Sequence, residues 1–160
     1  MGVMSGACGI RPALQLKGGK PSNLPTQPAN FIQNWAWDDK MRVKEDVKSD
    51  NDTVTILVSG HYYIFSRIHF SAKIKDGGTV SSSQLPVTHA LFRRQVGGIF
   101  RSLQSSTIKC SIHQNTTIHS SFLEGIAYLR VGEQLKIGLN HGEYLEFISK
   151  NDNYFGLFKL

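Results

Sequence analysis

The sequence predicts an all-β sandwich or jelly roll. Three observations carry this. Short stretches of β-branched and aromatic residues alternate with polar ones at period two. Turn signals recur roughly every 8–14 residues. No segment carries a convincing helical stripe. Eight to ten short strands are expected on this reading.

In chain order, residues 1–30 are rich in Gly, Pro, Ser and Asn, with one apolar run, "PALQL" (12–16). The stretch "KGGKPSNLPTQP" (17–28) has the composition of a loop. "NFIQNWAWDDKMRVK" then alternates like a half-buried strand and contains Trp35 and Trp37. "KEDVKSDND" (44–52) reads as a charged connector. From residue 53 the alternation persists. "TVTILVSG" (53–60) ends at Gly60, and "HYYIFSRIHFSAKI" (61–74) sets Tyr63, Phe65, Arg67 and His69 against Tyr62, Ile64, Ser66, Ile68 and Phe70. "KDGGTVSSSQ" (75–84) is a turn-rich loop. "LPVTHALFRR" (85–94) and "IFRSLQSSTIKCSI" (99–112) read as strands around "QVGG". "TIHSSFLEGIAYLRV" (117–131) is long and mixed. Its helical reading is opposed by Gly125 and the β-branched neighbours. "EQLKIGLN" (133–140) alternates, and "YFGLFKL" closes the chain.

A chain of 160 residues is most simply one domain. Its 40% hydrophobic and 19% charged residues are ordinary for a globular protein. Nothing reaches the ~18 consecutive apolar residues of a membrane span. The opening "MGVMSGACGIRP" lacks a signal peptide's cationic flank and apolar run. The net charge of +6 admits a polyanionic partner. Its Lys and Arg residues are dispersed, so no nucleic-acid partner is expected. Two cysteines, Cys8 and Cys110, are too few for a disulfide scaffold, and their surroundings lack zinc-site spacing. Sequons at Asn51 and Asn115 are glycosylation acceptors if the protein is secreted.

Enzyme signatures are missing from the sequence. There is no GxSxG, HExxH or phosphate-cradling Gly loop leading into a helix. The six histidines are scattered singly and read as polar strand positions facing solvent. His113 and His119 lie near Cys110, but a nucleophilic pair also needs an orienting third group and a shaped pocket. Glu124 and Glu133 do not form an evident carboxylate pair. No catalytic residue, cofactor or metal is expected.

The C-terminal third, "SSFLEGIAYLRVGEQLKIGLN…EYLEFISKNDNYFGLFKL", resembles the last strands of tumour necrosis factor family ligands. There, aromatic-Leu-x-Gly-(Val/Ile)-x-x-Leu precedes Gly-(Asp/Glu)-x-Leu and a terminal Tyr-Phe-Gly-x-x-x-Leu. "SGHYYIFSRIHF" (59–70) is similar to a further family strand, "RPALQLKG" to the opening strand, and "LPVTHALFRR" fits the next strand more loosely. The ending "FGLFKL" resembles Fas ligand and its relatives, whereas "THAL" and "EYLEF" look more like tumour necrosis factor itself, so the subfamily stays open.

The resemblance implies a jelly roll of two antiparallel sheets over residues 12–160, assembled as a homotrimer, with residues 1–11 a stalk remnant or expression scar. Alternation puts Tyr154, Gly156 and Phe158 on one face of the last strand and Phe155, Leu157 and Lys159 on the other. One face is expected to fill the core and the other to meet neighbouring subunits. Matched to the family, Phe65, Phe122 and Tyr154 stack at the threefold axis. For any single strand aromatic, ordinary core packing is the commoner role. The implied function is a non-enzymatic cytokine ectodomain, extracellular or at the cell surface. It clusters cysteine-rich receptors bound in inter-subunit grooves, for immune or cell-death and survival signalling. Membrane attachment is expected only through an anchor outside this chain.

Receptor contacts implied by the matched loops are Glu146, Phe147 and Ile148 in "EYLEFISKND", Arg93, Arg94 and Val96 around "RRQVGG", and Arg42 in "DDKMRVK". For the arginines a solvated charged face is the plainer alternative. Cys110 matches a family disulfide position, but no cysteine occurs between residues 60 and 109, so it is free or paired with Cys8. Other readings are a complement-type trimeric head, which should follow Gly-X-Y repeats, a cupin-type enzyme, which needs clustered metal ligands, and a lectin-like sandwich using Trp35 and Trp37.

Overall fold

Because side chains alternate across a strand, a sandwich needs each inward stripe to be apolar. The computed structural model has this arrangement, and it describes residues 14–21, 30–37, 46–50, 52–72, 84–111, 118–141, 145–147 and 153–160. Eleven strands follow in order: β1 Leu14–Pro21, β2 Asn30–Trp37, β3 Val47–Asp50, β4 Thr53–Ile56, β5 Gly60–Ala72, β6 Gln84–Arg94, β7 Arg101–Ser111, β8 Ile118–Leu129, β9 Gln134–Leu139, β10 Leu145–Phe147 and β11 Tyr154–Lys159.

All pairings between them are antiparallel. In the first sheet β5 pairs β8 from Gly60↔Leu129 to Ser71↔Ile118. Its other edge takes β11 and then β10. β1 continues the sheet beside β11, and β2 follows. In the second sheet β6 lies between β7 and β9, β4 pairs the far side of β9 and β3 pairs β4. β2 links the sheets, since its start at Asn30 and Phe31 pairs β9. The last strand is therefore interior to its sheet, between β5 and β1.

The core lies between the sheets. Tyr62, Ile64, Ile68 and Phe70 of β5 and Phe155 and Leu157 of β11 point inward. They meet Val54 and Ile56 of β4, Val87 and Leu91 of β6, and Leu135, Ile137 and Leu139 of β9. Each such side chain contributes roughly 1.5–3 kcal/mol when fully buried. Alternation holds on β8, where Ser121, Leu123 and Leu129 are buried and Phe122, Glu124, Ile126 and Tyr128 are exposed. The His69 N–H donates to Asn153 Oδ1 at 2.6 Å, which anchors the start of β11 against β5.

Three element expectations need correcting, and the strands number eleven rather than eight to ten. Residues 145–147 of "EYLEFISKND", read as part of a loop, form β10, because they pair with residues 70–72 of β5. Residues 17–21, read as loop, belong to β1, because pairing with β2 through Pro21, with β11 reaching as far as Lys17, outweighs the glycines. The "connector" 44–52 contains β3, with Val47 buried and Lys48 and Asp50 exposed. Charged outward residues suit this short edge strand. Elsewhere the turns follow their chemistry. Gly97 (φ 75°) and Gly132 (φ 86°) hold the left-handed positions in the β6–β7 and β8–β9 turns.

Candidate functional site

The residues of β5, β8 and β11 that do not enter the core share one outward face. Phe65 and Tyr154 meet edge-on, ring centroids 5.9 Å apart. Tyr63 packs on Phe65 at 5.9 Å and on Phe158 at 5.2 Å. Phe122 is opposite Arg67 on one side of β5, and Tyr154 is opposite Arg67 on the other. Around them Phe122 remains 48% exposed, Ile126 65% and Tyr128 48%. His61 packs on Tyr128 at 5.0 Å. The Tyr63 hydroxyl donates to Glu124 Oε2, and this bond, with some burial, raises the phenol's pKa.

Phe65, Phe122 and Tyr154 thus occupy one surface. Tyr63, Phe158, Ile126 and Tyr128 extend it. The same alternation selects them, because they share the outward parity of their strands. A contiguous apolar surface of this kind marks an interaction site on a soluble protein.

The TNF (Tumour Necrosis Factor) family model matches residues 33–160. The chain belongs to the tumour necrosis factor family. No curated protein matches it. The two-sheet architecture is accordingly that of a TNF-family jelly roll. The family is one of cytokines rather than enzymes, and its members are generally secreted or cell-surface ligands.

Within this TNF-family domain the remaining candidates separate clearly. Val96, 75% exposed, sits at the tip of the β6–β7 turn. Arg94 donates to Gln134 Oε1 and lies 5.1 Å over the Phe100 ring. Arg93 is not a free surface charge, since its Nη2 donates to both oxygens of buried Glu133, at 2.7 and 2.9 Å. Glu146 and Phe147 lie on β10, paired with Ser71 and Phe70. Ile148, Arg42, Asn51, Asn115 and Cys8 lie outside the described residues. Cys110 is a free, buried thiol whose pKa burial raises.

Glu133 also accepts the Arg130 backbone N–H at 2.9 Å, while its carbonyl accepts that of Ile56 at 2.9 Å. It therefore ties the β8–β9 turn to β4 and β6. The Gly-Glu-x-Leu motif is structural here. Replacing Glu133 with Ala leaves Arg93 uncompensated at a partly buried site, and removing one member of such a pair costs about 3 kcal/mol. The urea midpoint should fall accordingly, and an unchanged midpoint would refute this role.

One histidine departs from expectation. His89 does not face solvent. It shares the inward parity of Val87 and Leu91 and is fully buried. Its Nε2 lies 2.9 Å from Ser66 Oγ of β5, and its Nδ1 lies 3.0 Å from Ser121 Oγ of β8. It is thus a polar strut between the sheets.

Proposed function

We propose that this TNF-family domain is a homotrimeric extracellular ligand. Cysteine-rich receptors of the TNF-receptor family bind in the grooves between its subunits, and trivalent binding clusters them. The carrying observation is the aromatic face of β5, β8 and β11, where Phe122, Ile126 and Tyr128 are exposed and Phe65 and Tyr154 half-exposed in a single chain. Packing three copies face to flank around an axis through Phe65, Phe122 and Tyr154 removes it from water.

Receptor contacts are proposed on the rims, at Val96 and Arg94 in the β6–β7 region, at Glu146, Phe147 and Ile148 near β10, and at Arg42. Arg93 acts there through the turn it braces. A positive net charge favours encounter with acidic receptor modules. Residues 12–160 form the receptor-binding ectodomain, 1–11 are a tail, and Asn51 and Asn115 carry glycans in a secreted form.

Light scattering on a size-exclusion column tests the reading first. The expected mass is three times the 17.8 kDa chain. A panel of TNF-receptor-family ectodomains should then yield a binder that occupies three sites per trimer. A stable monomer, or a trimer that binds no panel member, would count against it.

A further inference from the structure

The outward face of β5, β8 and β11 is mainly apolar, with His61, and His69 beside Ser120 at 2.7 Å, among its polar members. Among its described side chains, Arg67 and Glu124 alone carry permanent charge, one of each sign. Arg67 is half-buried, between Phe122 and Tyr154 in register. Among the described residues it makes no ion pair. Glu124 is exposed, opposite Phe65 and two residues along β8 from Phe122. Within one chain these charges are diagonal neighbours, yet they do not pair. The Tyr63 hydroxyl holds Glu124 on the side of Phe65 away from Arg67.

This arrangement suits an isolated chain, where water solvates both charges. It does not suit a covered face. A guanidinium enclosed by aromatic rings without a counter-charge is strongly disfavoured, and so is an enclosed carboxylate bonded only to a phenol. A second copy of the same face carries the missing group in each case. Under threefold rotation every protomer can offer Arg67 to one neighbour and Glu124 to the other, which closes a ring of three neutral pairs.

We propose, resting on the homotrimer reading, that Arg67 of each subunit pairs with Glu124 of the next. Tyr63 pre-positions the carboxylate for that partner. The ring selects copies of this chain as partners, because a jelly roll offering the wrong charge at either position would leave one pair unmatched or repelling.

Charge reversal tests this at residue level. R67E and E124R each place like charges together and should raise the concentration at which the trimer dissociates by at least ~100-fold. The double swap R67E/E124R should restore it to within ~10-fold of wild type. Because a swap would also rescue a pair within one chain, the two single variants are co-expressed with different tags. A mixed trimer of two copies and one holds two attractive contacts and one repulsive, so co-capture is expected. The milder R67Q and E124Q, which introduce no repulsion, should each weaken the trimer ~10-fold and cover any failure of R67E or E124R to fold. Unchanged dissociation in the single variants, no rescue by the swap, or no co-capture would each overturn the pair. A monomeric wild type would instead overturn the homotrimer reading beneath it.

Discussion

Phe122→Asp is expected to convert the proposed trimer to monomers without unfolding the chain. In a single chain this side chain is 48% exposed on the outward side of β8, opposite Arg67 and outside the core. An aspartate there projects into water and leaves the inward neighbours Ser121 and Leu123 in place. In the proposed trimer this position is the one placed at the threefold axis, so three carboxylates would converge there on an apolar site. Desolvating a charge costs several kcal/mol even after relaxation, and like charges add to this. Since about 1.4 kcal/mol is a factor of ten in an equilibrium constant, dissociation should become complete at micromolar protein. Scattering mass reports this, with circular dichroism to show an intact β-sheet spectrum. Phe122→Leu, which preserves an apolar contact, should remain largely trimeric. Receptor binding should be lost with the aspartate, because each proposed groove is built from two subunits. A trimeric Phe122→Asp protein would place the interface elsewhere.

What could be read from the chain alone follows the physics of strands. Period-two patterns from Thr53 onward locate β4 to β7 and β9, because local geometry sends successive residues to opposite faces, whereas the stretch of β8 reads as long and mixed. The same rule divides Phe155 and Leu157 from Tyr154 and Phe158. The elements that escaped depend on distant partners. The Gly-rich second half of β1 is strand because β2 flanks it, although its own sequence reads as loop. β3 is a strand through β4. Polar residues show a similar division. His89 shares its face with Val87 and Leu91, a local signal of burial, but its two serine partners come from other strands. Glu133 gives no local hint that Arg93, forty positions earlier, neutralises it. Arg67 and Glu124 can be assigned to a face by parity, but their complementarity emerges only when two such faces meet.

Acidification should weaken the fold through His89, starting near neutral pH. The ring is enclosed between the sheets, where one serine hydroxyl donates to its bare nitrogen and the other accepts from its N–H. A neutral imidazole satisfies both bonds, whereas an imidazolium would be a buried charge without a carboxylate. Burial accordingly pushes its pKa down to about 3, partly offset by the contact with Ser121. In the unfolded chain the ordinary value is about 6.5. The unfolded state therefore binds the proton first as pH falls. The contribution of neutral His89 is complete above pH 6.5 and declines below it, with a limiting slope of about 1.4 kcal/mol per pH unit until the folded pKa is reached. Between pH 6.5 and 5 most carboxylates stay ionised, so the window reports mainly on histidines. Urea midpoints across it, at one fixed protein concentration to hold any oligomer linkage constant, should fall steeply for wild type. His89→Gln removes the titrating group while keeping a donor and an acceptor. It should be less stable at pH 7.5, where its fit is imperfect, and nearly flat with pH. The two curves should therefore converge toward pH 5. Parallel curves would mean that the acid sensitivity resides in other groups, and that the strut is not held neutral by its burial.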